Sequence, residues 1–159
     1  MLILQRPEIS QEDLGKSRAN FVIEPLEPGF GLTLGNTMRR ALLSRVPGVA
    51  VTGVKIDGVN HEFTSVPGVV EDVLDILLNL KRLVLKVDDQ ESHTLTVKAK
   101  GPGEVKAAQI QCPAGVEVVN TDLKICTLST DSTLDMEVSI AHGFGYRLAD
   151  KNKTSDSSF

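Results

Sequence analysis

Two adjacent arginines, Arg39 and Arg40, are the residues of this sequence whose chemistry most requires a partner. They lie in the middle of a predicted helix that contains no acidic residue to neutralise them. An arginine side chain offers a planar fork of N–H donors that matches carboxylate and carbonyl groups. The pair therefore indicates either a solvated helix face or a face that contacts another molecule.

The helix that carries these arginines is predicted to run from Thr33, a suitable N-cap, to about Val46. Pro47 and Gly48 end it, because the residue before a proline is pushed out of helical geometry. Spacings of three and four residues divide the helix into an apolar stripe and a mixed stripe. The apolar stripe contains Leu34, Met38, Ala41 and Leu42, and the mixed stripe contains Asn36, Arg39, Arg40 and Leu43. Spacing leaves open whether the mixed stripe is solvated or contacts a partner.

Other residue types with catalytic or metal-binding chemistry lack the spacing that such sites need. His61, His93 and His142 form no H-x-x-x-H or H-E-x-x-H motif. Cys112 and Cys126 are too few for a disulfide framework and are expected to be small buried or half-buried side chains. No serine lies in a G-x-S-x-G elbow. The sequence predicts no catalytic residue, no metal site and no cofactor.

A nucleotide-binding loop is the alternative raised by the run GFGLTLG at residues 29–35. Its third glycine comes one residue later than in G-x-G-x-x-G, although Asp57 follows a second strand at about the distance of a ribose-binding acid. Farther along the chain, the sequence predicts antiparallel strands and no repeated strand-helix-strand unit. Nucleotide binding is therefore the less favoured interpretation.

Composition and charge indicate a globular chain in the cytoplasm. Of the 159 residues 41% are hydrophobic, which is enough for one domain or two small ones. A net charge of −4 argues against a broad surface for nucleic-acid phosphates, so direct contact with DNA is not expected. Charged residues interrupt the longest apolar stretch, 66–87, and the N-terminus lacks the pattern of a secretory signal, so no membrane association is expected.

The remaining pattern predicts an α+β chain. Strands are expected at 21–27 and 49–56, the latter followed by an Asp57-Gly58 turn. A second, amphipathic helix is expected at 69–81, with an apolar stripe of Val70, Val73, Leu74, Leu77 and Leu80. Beyond it, apolar residues alternate with polar ones, first from Leu95 to Ala99 and again from Leu134 to Ile140, as in antiparallel strands with one buried face. The polar end, 151–159, is expected to be a disordered tail.

Two long runs carry a resemblance to a known family. They read FVIEPLEPGFGLTLGNTMRRALLSRVPGVAVTGVKIDGV from Phe21 and HEFTSVPGVVEDVLDILLNLKRLVLKV from His61. Both resemble the N-terminal domain of the bacterial RNA polymerase alpha subunit, and the start MLILQRP resembles its actinobacterial branch. The resemblance continues more weakly to Tyr146, through GPGEV, PAGVEVVN and GFGY.

The resemblance implies a non-catalytic scaffold that nucleates assembly of the beta and beta-prime subunits, with the active-site magnesium held by those large subunits. It implies beta-subunit contacts at Arg40, Leu43 and Arg39, and so favours a contact face on the first helix. The implied beta-prime contacts are Asp75, Lys81 and Leu85. The implied dimerisation and assembly core, for pairing with a second alpha chain, is Leu34, Met38 and Leu42.

The resemblance also implies a domain plan. Residues 1–47 would begin a discontinuous assembly and dimerisation domain with a strand and a helix, and 48–150 would form an inserted, mostly antiparallel β-rich domain with one helix. The family commonly has RGRGYV where residues 142–147 read HGFGYR, and serine where Arg45 stands. In the family the chain returns to the assembly domain after the inserted module, and this sequence ends before that return, so we expect a truncated form. A free-standing β-rich interaction module remains the alternative.

Overall fold

A computed structural model of the chain describes residues 6–15, 18–129 and 131–152. Contacts between residues divide the chain into two compact units, Met1–Arg45 and Val46–Phe159. The two units are described separately below.

The first unit contains a hairpin and a helix. Strands β1 (Glu8–Gly15) and β2 (Arg18–Glu24) pair antiparallel, with Ile9 opposite Ile23. The sequence predicts β2 a few residues later, at 21–27, and misses β1. The observed strand ends at Glu24 because Pro25 has no N–H to continue the ladder of hydrogen bonds.

Helix α1 (Phe30–Arg45) begins three residues before the predicted N-cap. The backbone N–H of Phe30 donates to the carbonyl of Glu27 at 3.1 Å, and the Thr37 hydroxyl donates to the carbonyl of Thr33 at 2.8 Å. Thr33 is therefore a residue of the first turn, and its prediction as the N-cap is wrong. The helix ends one residue before the predicted Val46, ahead of Pro47 as expected.

The second unit is built around an antiparallel sheet. Its strands are β3 (Pro47–Ile56), β4 (Leu85–Val87), β5 (His93–Lys100), β6 (Gly103–Lys106), β7 (Ile110–Gln111), β8 (Val116–Val118), β9 (Lys124–Leu128) and β10 (Thr133–Phe144). The main sheet has the order β3-β10-β5-β7, while β4 pairs with β8 and β6 with β9. Helix α2 (Val73–Leu80) and the 3-10 turns Ala107–Gln109 and Ala149–Lys151 complete the described elements. This arrangement confirms the α+β prediction.

The core of the second unit lies between α2 and the strands. The predicted alternation is confirmed, because Leu95 and Val97 on β5 and every second residue of β10 from Leu134 to Ile140 are buried. Each large side chain buried in this way stabilises the fold by about 1.5–3 kcal/mol. Both cysteines behave as predicted, with Cys126 buried and Cys112 half-buried.

Helix α2 differs from its prediction in its first residue and in which side chains it buries. It begins at Val73, because the Asp72 side chain accepts a hydrogen bond from the backbone N–H of Asp75 at 2.8 Å and caps the helix. Val70, predicted on the helix, instead donates its backbone N–H to the carbonyl of Thr127 on β9. The buried side chains are Val73, Ile76 and Leu80, so the placement of Val70 and Leu74 in the core stripe is wrong.

Only 151 and 152 of the predicted tail lie within the described residues. Lys151 belongs to the turn Ala149–Lys151, and the backbone N–H of Asn152 donates to the carbonyl of Ala149 at 2.8 Å. The rest of the predicted tail lies outside the described residues.

Candidate partner-binding surfaces

The arginine-bearing face of α1 is exposed along its length. Arg39, Arg40 and Leu43 lie at helical spacings of three and four, so their side chains share one face. Neither guanidinium has an ion-pair or hydrogen-bond partner among the residues that the structure describes. Leu43 is 62% exposed. The face therefore combines two unpaired cations with an apolar side chain, which is the composition of a contact site.

The other predicted stripe of α1 is also largely uncovered. Leu34 is half-buried, whereas Met38 and Leu42 are exposed, and no residue of α1 is buried. Apolar side chains left in water along a whole helix indicate a surface that another molecule covers. The predicted assembly core thus lies on one stripe, but this unit does not bury it.

The three residues predicted on the second helix and beyond it lie in two environments. Asp75 and Lys81 are exposed at the two ends of α2, Lys81 being the C-cap. Leu85 is half-buried on β4, opposite Val118, and packs against the core. The structure therefore places Asp75 and Lys81 on an accessible helix and gives Leu85 a packing role as well.

Leu74 and Leu78 lie on the exposed side of α2. The sequence pattern predicts Leu74 in the core and assigns no role to Leu78. They are 44% and 51% exposed, although the helix pattern predicts Leu74 in the core. A signal was present in the sequence, because six of the eight residues in VLDILLNL are apolar and one buried stripe cannot hold them all.

An ionic contact fixes the start of α2 to β9. The Glu71 carboxylate accepts the backbone N–H of Thr127 at 2.6 Å, the Thr127 hydroxyl at 3.0 Å and the Lys124 ammonium at 3.0 Å. Burial acts to raise the pKa of Glu71, but the hydrogen bonds from Lys124 and Thr127 together hold that pKa below its usual value. This contact fixes the start of the helix against β9.

In the part of the chain that the structure describes, the cysteine, histidine and acidic side chains lie in separate places. Burial raises the pKa of the Cys126 thiol to about 11, so it stays protonated and unreactive. The His93 ring lies 2.8 Å from an Asp89 carboxylate oxygen, and this contact lowers the pKa of Asp89. Among residues 6–15, 18–129 and 131–152, no three histidine, cysteine or acidic side chains are placed to hold a metal ion.

The glycine run does not form a phosphate-binding loop. Gly29 has a left-handed backbone with φ of 88° before the helix, whereas Gly31 and Gly35 lie inside α1. A cleft of about 430 Å³ lies on the polar side of the main sheet, and its lining mixes both signs of charge: Lys55, Asp57, Thr96, Lys98, Gln111, Asp135 and Glu137. Nucleotide binding is not favoured by this arrangement.

Comparison with known proteins decides the family. A family model for the RNA polymerase Rpb3/RpoA insert domain matches residues 54–158, which is more than half of the chain. The chain belongs to the bacterial RNA polymerase alpha subunit family. This confirms the resemblance carried by the two long runs.

Several similar alpha subunits come from actinobacteria. The DNA-directed RNA polymerase subunit alpha of Corynebacterium jeikeium is 55% identical over 92% of this chain and 43% of the relative. The proteins of the same name from Saccharopolyspora erythraea and Kineococcus radiotolerans are 54% and 53% identical, over 96% and 98% of this chain. The chain spans 43–46% of the length of these alpha subunits. None of the described helices has the length and hydropathy of a membrane-spanning segment.

Proposed function

We propose that this chain is a non-catalytic scaffold subunit of bacterial RNA polymerase, which nucleates assembly of the beta and beta-prime subunits for DNA-templated transcription. The observation that carries the proposal is the exposed face of Arg39, Arg40 and Leu43 on a chain of the alpha subunit family. A subunit of this enzyme acts in the cytoplasm, where bacterial DNA is transcribed. The chain itself carries no group for bond making in this proposal.

The beta subunit is the proposed partner of the arginine face of α1. Arg40, with Arg39 beside it, would donate to carboxylates or carbonyl groups of beta, while Leu43 would fill an apolar pocket. The absence of a partner for either guanidinium among the described residues supports this, because no contact seen there has to be broken before they bind. Contact would remove water from the fork and strengthen each hydrogen bond.

The other stripe of α1 is proposed to meet a second alpha chain. Leu34, Met38 and Leu42 form one line along the helix and are not buried by their own unit. Burial of these side chains against the partner would stabilise the complex by about 25 cal/mol for each Å² of apolar surface removed from water. Residues 1–47 would then act as part of the assembly domain, and 48–150 as the inserted module.

The beta-prime subunit is the proposed partner of α2. Asp75 and Lys81 are its exposed charged contacts, and Leu85 on β4 would contribute from the neighbouring ribbon. Opposite charges at the two ends of one short helix can set the direction in which a partner binds.

Co-purification with tagged beta and beta-prime tests the function directly. The wild-type chain should capture both subunits, and Arg40→Ala should weaken beta capture by about 2 kcal/mol or more while leaving the melting temperature unchanged. Arg18→Ala is the matched control, because Arg18 is also an exposed arginine but lies on β2, outside helix α1. Equal capture of beta by the wild-type chain and Arg40→Ala would remove Arg40 from the site, and no capture of either subunit by the wild-type chain would refute the function.

A further inference from the structure

A single asparagine side chain closes the corner between α2 and β4. The amide nitrogen of Asn120 donates to the carbonyl of Arg82 at 2.8 Å, and its amide oxygen accepts the backbone N–H of Val84 at 2.8 Å. The amide therefore binds one carbonyl and one N–H on either side of Leu83, which fixes the orientation of the amide. These hydrogen bonds join residues 38 and 36 positions apart in sequence.

The helix and the strand do not supply these hydrogen bonds themselves. The last backbone hydrogen bond of the helix end runs from the N–H of Leu83 to the carbonyl of Leu80 at 3.0 Å, and β4 begins only at Leu85. The carbonyl and the N–H that flank Leu83 lie between these two elements. Because backbone polar groups need hydrogen-bond partners, Asn120 completes a stretch that regular structure leaves open.

The backbone of Asn120 is held in place. Its carbonyl accepts the backbone N–H of Leu123 at 3.0 Å, which closes a turn. The carbonyls of Thr121 and Leu123 accept N–H groups from the 3-10 turn Ala107–Gln109 at 3.0 and 2.8 Å. Asparagine is favoured at the first position of such a turn. The amide that closes the corner therefore projects from a fixed point of the second unit.

The corner separates two of the residues proposed to contact beta-prime. Lys81 is the C-cap of α2, and Leu85 is the first residue of β4. Between them, Leu83 is buried in the core. The placement of Lys81 relative to Leu85 thus depends on the backbone at 82–84, which is the stretch that the Asn120 amide holds.

We propose that Asn120 is a positioning residue for the beta-prime contact. Its amide fixes the geometry in which Lys81 and Leu85 are presented together, and it acts through Lys81 without binding beta-prime itself. The identity of the partner rests on the proposed function, whereas the two hydrogen bonds of the amide do not depend on it. A contact that is held in one geometry loses less conformational freedom on binding, so loss of the amide should weaken capture of beta-prime.

Hydrogen exchange of the full chain, followed by NMR, tests the hold on the corner without any partner. In Asn120→Ala the amide of Val84 should exchange at least about fivefold faster than in the wild-type chain, because its acceptor is removed. Thr52→Ala is the matched control, since it removes a side-chain hydrogen bond to the backbone carbonyl of Ser139 and should leave exchange at Val84 unchanged. Unchanged exchange at Val84 in Asn120→Ala would overturn the positioning role, whatever the partner.

A double-mutant cycle tests the action through Lys81. Asn120→Ala should reduce capture of tagged beta-prime at least about fivefold and leave capture of beta unchanged, at a temperature where every variant is folded. In a Lys81→Ala background the same substitution should add less than about twofold, because the side chain that it positions is gone. Val138→Ala, a core truncation on β10, is the control for lost stability and should leave beta-prime capture unchanged.

The cycle separates failure of this inference from failure of the function. If Asn120→Ala captures beta-prime like the wild-type chain, or if the effects of Asn120→Ala and Lys81→Ala simply add, Asn120 does not act through Lys81 and the scaffold function stands. If the wild-type chain captures neither large subunit, both fail.

Discussion

The two units of this chain differ in what they bury. Every buried residue of the described structure belongs to the second unit, in which α2 and alternate residues of β5 and β10 form one core. In the first unit the described hairpin and helix leave large apolar side chains exposed, Phe21 and Leu42 among them. An isolated hairpin and a single helix are each marginal in water. The second unit can thus be stable by its own packing, whereas the first depends on what covers it.

Hydrogen exchange on the whole chain provides the sharpest test of this difference. Amides of β10 should exchange at least about a thousandfold more slowly than those of α1, because β10 opens only with the core while α1 opens locally. Mass spectrometry of peptides from the two elements gives both rates in one sample. Equal protection in the chain alone would contradict the comparison, and added beta subunit should slow exchange in α1.

Truncation of an apolar side chain should cost more stability in the second unit than in the first. Ile76→Ala removes a fully buried side chain and should lower the free energy of unfolding by about 2–5 kcal/mol, because it leaves a cavity. Leu42→Ala, at a side chain that is 61% exposed, should cost less than about 1 kcal/mol. Urea unfolding followed by circular dichroism measures both. A similar loss in the two variants would show that α1 is packed in solution.

The ionic contact at the start of α2 should contribute less than the core. Glu71→Gln weakens the hydrogen bonds to Thr127 and the ion pair with Lys124, and should cost about 1–3 kcal/mol. The exposed Lys106–Glu104 pair supplies the control, Glu104→Gln, which should change stability by no more than about 0.5 kcal/mol.

The same contact predicts a pH dependence of stability. Because the pKa of Glu71 is lower in the folded state than its ordinary value of 4.5, the contact contributes fully above that value and is lost as the pH falls through the folded pKa. Unfolding between pH 7 and pH 3 should show a smaller acid-induced loss for Glu71→Gln than for the wild-type chain. If the two proteins showed the same pH profile, the ionised Glu71 carboxylate would not contribute to stability.

The smallest effect is expected on the polar side of the main sheet. Lys98 and Asp135 lie opposite each other and form an exposed ion pair of 3.1 Å. Lys98→Ala should change the free energy of unfolding by less than about 0.5 kcal/mol, and 0.5 M salt should reduce that difference further. A larger effect would indicate that this side of the sheet is packed.

The alternating strands could be predicted because their signal is local. Leu134, Met136, Val138 and Ile140 face one side of β10 whatever strand pairs with it, since side chains alternate along any strand. The buried face of α2 could not be predicted from such a local pattern, because its six apolar residues are spread around most of the helix. The first residue of α2 is set by the cap at Asp72 and by the hydrogen bond between Val70 and β9. That hydrogen bond joins residues far apart in sequence, so no local pattern could predict it.

The arginine face and the family were available from the sequence alone, since helical spacing places Arg39, Arg40 and Leu43 together and the two long runs carry the resemblance. Only the tertiary structure decided that the guanidinium groups have no partner within residues 6–15, 18–129 and 131–152, and that Leu74 and Leu78 are exposed. The physical reason is that spacing determines which residues share a face, whereas burial depends on the elements that long-range packing brings against that face.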